Sequence, residues 1–336
     1  MLKALTLLVS LTTAISAAEI KVGEAVDYSK LAFYPDRWEK QGFDTQLYPW
    51  TGEHIAFLTI SEDFDPKAMT GFVGTLDRGW NTYKTFTGKS PKLSRHINGK
   101  ATIAAIPGGG LTCGYGCGFV GATGIEANGF YNGTYDAIKR DPRNTPHIYF
   151  YEMGRNFFTF GDKHSAFTTG FAVFMRYVCI DSLELIDGDK RTRKIIDAAV
   201  DGHAKSDMSF LKAFTNSYGL TEKQNRLNHG PTDQPVLYAS AMLKLWKSQG
   251  DDWLKAFFRH IHKAPKYSHQ SKEGARNQSL SWYFAASLAA QKDLAPVFVE
   301  QWRLPLTDEE KKSLAKIAWN DTALTVADLH KKLKEN

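Results

Sequence analysis

The sequence lacks a long hydrophobic run downstream of its N-terminus. No later stretch of the 336 residues reaches the ~20 apolar residues that a membrane-spanning helix requires, so no membrane span is predicted. The chain also contains no repeat of fixed period and no low-complexity segment, which argues against a repeat array. Its length is ample for a buried core and indicates one large domain or two ordinary ones.

Cysteine is scarce, with three residues in the chain. Cys113 and Cys117 lie in a glycine-rich segment, Gly108–Gly118, and a disulfide between them is expected in an oxidising compartment. A metal-binding pair is the less favoured alternative, because two further soft ligands at a suitable spacing are absent. Cys179 lies in an apolar helical segment and is interpreted as a buried free thiol.

Residues 1–18 have the pattern of a secretory signal peptide. Lys3 supplies a positive charge, Leu5–Leu11 an apolar core, and Ser16–Ala18 the small residues before a cleavage site ahead of Glu19. The apolar core is too short to span a bilayer. The mature protein is therefore expected to be secreted, either extracellular or periplasmic.

The charge pattern does not indicate a nucleic-acid partner. The formal charge of +6 falls by one when Lys3 leaves with the signal peptide, and the lysines are scattered along the chain. Short basic clusters at Lys190–Lys194 and Lys331–Lys334 are interpreted as solvated helix faces, with polyanion binding as the alternative. No nucleic-acid-binding motif accompanies them. The sequence does not indicate an oligomeric state.

Apolar spacing predicts an α+β fold in the first half of the mature chain. Asp65–Pro66 has the features of a helix start, with a capping carboxylate and a proline in the first turn. Apolar residues then recur at helical spacing as far as Gly88. Thr102–Ile106 is predicted to be a strand that ends at a proline. This α+β domain is expected to comprise residues 19–190.

The second half is predicted to be all-helical. Capping-box patterns begin at Thr221 and Thr307, where a threonine is followed three residues later by an amide or acidic residue. We therefore assign residues 191–336 to a helical domain that follows the α+β domain.

A further predicted strand, Phe119–Glu126, is interpreted as the edge of the sheet. Its glycines would weaken a central strand, but they suit an edge that another chain approaches closely. We expect an extended peptide or a glycan to bind along this strand. The candidate binding residues are Phe119, Gly121, Gly124 and Glu126.

The helix predicted at about His147–Phe158 contains the sequence Tyr151-Glu152-Met153-Gly154-Arg155. Zinc peptidases carry His-Glu-x-x-His on such a helix, where the two histidines bind zinc from one face and the glutamate acts as general base. Here the glutamate is present as Glu152, but Tyr151 and Arg155 occupy the histidine positions. A phenol and a protonated guanidinium are poor zinc ligands.

Residues from about 50 to 185 resemble the catalytic core of the gluzincin metallopeptidases. The order of a long helix, a strand, an edge strand, the motif helix and a following helix at about Ala166–Leu185 is similar. In that family the last helix often opens with Asn-Glu-Gly-Phe-Ala and supplies a glutamate ligand, and the corresponding position here is Thr169. The resemblance implies a zincin-like core in which all three zinc ligands are replaced, so no metal or other cofactor is predicted.

A different metal arrangement near the motif is also conceivable. Asp162 and His164 follow the motif helix closely and could join Glu152. That trio does not have the spacing of a known site, and a polar surface loop is the preferred interpretation.

Glu152 and Arg155 are spaced for an ion pair across one helical turn. The preferred interpretation is an ion pair inside a former active-site cleft. The alternative is an acid/base role, in which Tyr151 donates to a developing oxyanion and Arg155 lowers the pKa of Glu152. Catalysis by carboxylates without a metal would need a second carboxylate facing the first, and Glu126 is the candidate.

These observations leave three functional hypotheses. The first is a secreted, non-catalytic gluzincin-like pseudopeptidase that binds an extended peptide or glycan, with Arg155 binding a ligand carboxylate. The second is an active secreted hydrolase, acting on peptides or glycans, that uses Glu152. The third is a structural or adhesive surface protein, since an aromatic content of 13% fits carbohydrate stacking as well as a large core.

Overall fold

The computed structural model describes residues 19–162, 166–215 and 233–335. It shows an α+β protein with a mixed sheet and many helices. The strands are β1 (Val26–Asp27), β2 (Gln46–Thr51), β3 (Ile55–Thr59), β4 (His96–Ile97), β5 (Lys100–Ala105), β6 (Gly116–Gly118) and β7 (Ile125–Ala127). The helices are α1 (Pro35–Lys40), α2 (Pro66–Thr87), α3 (Tyr135–Arg140), α4 (His147–Phe157), α5 (Ala166–Ser182), α6 (Lys190–Ala204), α7 (Phe210–Phe214), α8 (Gln234–Gln249), α9 (Asp251–Ile261), α10 (Lys272–Ala290), α11 (Asp308–Leu314) and α12 (Val326–Lys334).

The strands form one sheet in the order β1-β2-β3-β5-β7-β6, with β4 paired to β5. The central strands β3, β5 and β7 run parallel, whereas β1, β2 and β6 are antiparallel to their neighbours. Parallel neighbours require a crossover connection, and α2 supplies it between β3 and β5. β6 is the last strand of this order and lies beside the motif helix α4.

Side chains on the central strands alternate between two apolar layers. Phe57 and Ile103 face the layer of helices, while their neighbours Leu58 and Ala104 face the N-terminal segment around Trp38. All five residues of β3 are buried, as expected for a strand that is covered on both faces.

Local capping signals give the predicted boundaries of two helices. The Asp65 carboxylate accepts a hydrogen bond from the Ala68 N–H at 2.8 Å at the start of α2, and Gly88 ends that helix with a φ of +64°. The capping box at Thr307 is also confirmed. The one predicted at Thr221 lies outside the described residues.

The described residues after 190 form helices joined by connections, without a strand, as predicted. Helix α8 packs against α5 and α6, and α9 packs against α2. Phe171 of α5 and Tyr238 of α8 belong to one apolar core, so the helical region forms a layer on the α+β region rather than a separate core. None of the described helices is long and apolar enough to cross a membrane.

The motif helix α4 packs closely against α5, and Gly154 makes this possible. A Cβ atom at Gly154 would lie 2.7 Å from the Cα of Ala172 and 2.9 Å from the Tyr83 hydroxyl. The two helices end at Phe157 and Ser182, one and three residues before their predicted ends. This contact fixes the direction in which the motif side chains point.

Candidate functional site

The motif on α4 lies on one wall of an open cleft. Tyr151, Glu152 and Arg155 line this wall. Beside this wall the cleft is lined by β6 and the two residues that follow it, Phe119 and Val120. The cleft is completed by Phe33, Tyr34 and Cys113. The fold thus brings the three motif residues against the outer edge of the sheet.

The edge strand β6 turns the backbone groups of two glycines toward this cleft. The Tyr115 C=O accepts a backbone hydrogen bond at 2.8 Å from the segment that contains β7. The Phe119 N–H donates a backbone hydrogen bond at 3.3 Å to the same segment. Because such bonds alternate along an antiparallel strand, the N–H and C=O groups of Gly116 and Gly118 point away from β7. The Arg155 Nε accordingly donates to the Gly118 C=O at 3.4 Å.

The carboxylate of Glu152 is packed against the same two glycines. Glu152 is only 3% exposed. A Cβ atom at Gly116 or Gly118 would lie 2.9 Å from one of its carboxylate oxygens, so no larger residue fits without movement. Sequence reasoning missed Gly116 and Gly118. The available signal was the glycine at every second position from Gly114, the period of one face of a strand.

Burial determines the protonation of Glu152. It raises the pKa of Glu152 from 4.5 to about 7, although the charge of Arg155 acts to lower it. The Arg155 Nε lies 3.8 Å from Glu152 Oε2, so the predicted pair forms but does not keep the pKa low. Burial and the nearby Glu152 charge also raise the pKa of Tyr151, and a hydrogen bond with Arg155 opposes them. The charge of Arg155 acts in the direction that the sequence predicts, but the sequence did not reveal the burial that outweighs it.

Glu126 does not face Glu152, which corrects the suggestion that it supplies a second carboxylate. It pairs with Cys117 in the sheet and projects from the face opposite α4. There the Tyr28 hydroxyl and the Phe33 N–H donate to Glu126 Oε1 at 3.0 and 2.8 Å. Burial raises the pKa of Glu126, and the Phe33 N–H partly offsets this. Glu126 therefore holds the N-terminal segment against the sheet.

The predicted edge strand Phe119–Glu126 also requires correction. Only its last two residues are in a strand, and that strand, β7, lies between β5 and β6. Residues 119–124 form the connection from β6 to β7. This connection is tied to the motif helix, because the Gly121 N–H donates to the Arg155 C=O at 3.1 Å and the Asn156 side chain donates to the Phe119 C=O at 2.9 Å.

Phe119 and Gly124 have different roles in this connection. The Phe119 ring lines the cleft and stacks on Phe33 with a centroid distance of 4.3 Å. The Arg95 guanidinium covers Phe119 at 4.1 Å. Gly124 lies behind them, where a Cβ atom would be 3.0 Å from the Arg95 side chain. Gly124 therefore shapes the turn and supports the wall of the cleft.

The residues considered as metal ligands are dispersed or engaged elsewhere. Thr169, at the position of the family's third ligand, is buried in α5. Asp162 accepts hydrogen bonds from the His269 N–H at 3.0 Å and pairs with its ring Nδ1 at 2.6 Å. His164 lies outside the described residues. Within the described ranges, no group of three or more His, Cys, Asp or Glu residues could hold a metal ion.

The predicted disulfide between Cys113 and Cys117 is present, with a Cα–Cα distance of 5.6 Å. It closes the loop that leads into β6, and both cysteines line the cleft. Cys179 is buried and unbridged, as predicted.

Comparison with known proteins shows similarity at the level of the fold. No protein-family profile and no curated protein matches the chain. A solved structure, described as a functionally unknown conserved protein mutant from Bacillus anthracis str. Ames, is similar with a TM-score of 0.54 and 12% sequence identity. The match covers 84% of this chain and 53% of the Bacillus protein, so this chain spans about half the length of that protein.

Proposed function

We propose that the protein is a secreted, non-catalytic peptide-binding protein, a gluzincin-like pseudopeptidase. The observation that carries this proposal is the outer edge of β6 beside the cleft. There Gly116 and Gly118 direct backbone groups toward the space that Glu152 and Arg155 border. An extended peptide can pair with such an edge as an additional strand.

Two features of the cleft suit a peptide in particular. The outward backbone groups of Gly116 and Gly118 provide donors and acceptors at the spacing of a strand. Arg155 is 24% exposed, and its guanidinium has five N–H donors, so it can bind a ligand carboxylate while retaining its bond to Gly118. Phe119 and Tyr34 add aromatic surface beside the strand.

The side chains at the three zinc-ligand positions support a loss of zinc catalysis. Tyr151 and Arg155 stand where the gluzincins carry histidines, and Thr169 stands where they carry a glutamate. Burial keeps the Tyr151 phenol neutral at ordinary pH, and the Arg155 guanidinium has no lone pair to offer. The arrangement of an antiparallel edge strand beside the motif helix, followed by α5, is consistent with the gluzincin resemblance.

Backbone methylation of the ligand tests the proposed pairing. A fluorescent peptide of about seven residues, the length of a typical strand, is first selected for binding by fluorescence anisotropy. Each of its amides is then N-methylated in turn. We expect affinity to fall about tenfold at every second residue along the paired segment, because only alternate amides face β6.

Two results would contradict strand pairing. The first is an equal loss of affinity on N-methylation at every position of the peptide. The second is binding of oligosaccharides with no measurable binding of peptides. The second would instead favour the glycan-binding or adhesive alternative.

The active-hydrolase alternative is favoured by one feature of the site, the buried carboxyl group of Glu152 on the cleft wall. A carboxylic acid with a pKa of about 7 is suited to proton transfer at neutral pH, and Glu152 lies on the cleft wall. If this alternative holds, Glu152→Gln should lower turnover of a peptide or oligosaccharide substrate by about 100-fold or more. Equal turnover by both proteins would remove Glu152 from the mechanism.

A further inference from the structure

The last outward carbonyl group of β6 is occupied by the arginine of the motif. Gly116 and Gly118 direct their N–H and C=O groups away from β7, and the Gly118 C=O accepts a hydrogen bond from the Arg155 Nε at 3.4 Å. After Gly118 the chain leaves the edge and is tied to α4, where the Gly121 N–H donates to the Arg155 C=O at 3.1 Å. The strand edge that is offered to a ligand therefore ends at a guanidinium group.

A guanidinium at this place determines which part of a ligand chain can lie beside it, because it carries donors and no acceptor. A peptide that continued past Gly118 would present its own N–H group to the Gly118 C=O, where Arg155 already donates. A terminal ammonium would also be a donor, and the charge of Arg155 would repel it. A terminal carboxylate has an oxygen in place of the next N–H group and carries the opposite charge. The chemistry of the edge thus favours the C-terminus of a ligand.

The charges around the cleft also favour an anionic ligand group. The guanidinium groups of Arg37 and Arg95 lie over aromatic rings of the cleft lining, at 3.8 and 4.1 Å from the ring centroids. Of the described residues that line the cleft, Glu152 alone has a carboxyl group, and burial raises its pKa to about 7. The cleft has a volume of about 560 Å³, which is within the range of ~300–1,000 Å³ for ligand sites.

We propose that the cleft binds the C-terminal end of a peptide, with the terminal carboxylate on the Arg155 guanidinium. The inference rests on the proposed peptide binding and adds the part of the ligand that is recognised and its direction. The carboxylate reaches the Gly118 end of β6 when the ligand runs parallel to β6. The penultimate ligand residue then donates to the Gly116 C=O and accepts from the Gly118 N–H. One carboxylate oxygen takes the place of the next N–H group and accepts from Arg155.

Peptides of about seven residues, labelled at the N-terminus and made both as the C-terminal acid and as the C-terminal amide, test this inference by fluorescence anisotropy. We expect the acid form to bind the wild-type protein about tenfold more tightly than the amide form. Arg155→Gln should bind the two forms equally, because glutamine can still donate to Gly118 but carries no charge. Arg259→Gln is the matched control and should keep the preference, since it removes the same charge from an exposed position on α9 outside the cleft.

The wild-type protein alone provides a second test if Arg155→Gln fails to fold. N-methylation of the penultimate amide of the acid peptide should lower affinity about tenfold, because that N–H group faces β6. N-methylation of the last amide, which points away from β6, should leave affinity nearly unchanged.

Three results would overturn the inference and leave the proposed function intact. The first is equal binding of the acid and amide forms to the wild-type protein. The second is an amide peptide with aspartate as its last residue that binds as tightly as the acid form. The third is a loss of the preference in Arg259→Gln as well, which would indicate a general effect of charge. If neither form of any peptide bound the wild-type protein, the proposed function would fail and this inference with it.

Discussion

The Gly118→Ala variant is expected to lose about 1–3 kcal/mol of unfolding free energy, the usual cost of overpacking a close contact, together with its peptide binding. The added Cβ atom would lie 2.9 Å from both the backbone oxygen and the carboxylate of Glu152. A backbone oxygen in the middle of α4 cannot rotate away. The edge strand and the motif helix must therefore separate, which displaces the outward backbone groups of β6.

Gly114→Ala is the matched control for this prediction. Gly114 precedes β6 by two residues, and a Cβ atom there would lie no closer than 3.8 Å to the nearest atom outside its chain neighbours, the Gly116 oxygen. Chemical denaturation measures the unfolding free energy of both variants, and fluorescence anisotropy measures their peptide affinity. Only Gly118→Ala is expected to show a loss. Wild-type stability and affinity in Gly118→Ala would show that β6 and α4 are not held as closely as described.

The helices around the site could be predicted because their signals are local. A carboxylate at Asp65, the proline after it and a glycine at Gly88 specify the ends of α2 through bonds within a few residues. The motif helix α4 was predicted almost to the residue for the same kind of reason. Apolar side chains at helical spacing require no knowledge of distant parts of the chain.

The edge of the sheet could not be located in this way, because strand pairing joins residues that are far apart in sequence. Glu126 lies between Ala104 and Cys117 in the sheet, and its side chain faces whichever layer those neighbours face. Reading Phe119–Glu126 as one strand merged a connection with an interior strand and put Glu126 on the wrong side of the site. The edge strand beside the site is only three residues long, and two of them are glycine, so it carries little strand propensity.

The protonation state of Glu152 was equally hidden from the sequence. The spacing to Arg155 predicts that the charge of Arg155 acts to lower the pKa of Glu152, since an ion pair favours the charged carboxylate. The fold instead covers Glu152 with β6, and the loss of hydration outweighs the attraction of Arg155. Burial of this kind is a tertiary property that depends on the two glycines opposite.

Glu152 consequently destabilises the folded protein as pH rises. Its pKa in the folded state, about 7, lies above its ordinary value of 4.5. Between these values the folded state retains a proton that the unfolded state releases. The contribution of Glu152 to the free energy of unfolding is fully present below pH 4.5 and is lost as pH rises through about 7. The expected loss is about 1.4 kcal/mol per pH unit, or roughly 3 kcal/mol across the window.

Glu152→Gln should remove this loss, because glutamine does not titrate. We expect the variant to gain stability relative to the wild-type protein as pH rises from 4.5 to about 7, with no further gain above that range. Urea unfolding of both proteins across the window measures the difference. Burial lowers the pKa of His262 and His330, which makes stability rise with pH. Both proteins contain these histidines, so their contribution cancels in the difference. Glu62→Gln, at an exposed position, is the control. Parallel curves of stability against pH for wild type and Glu152→Gln would mean that Glu152 is ionised in the folded state.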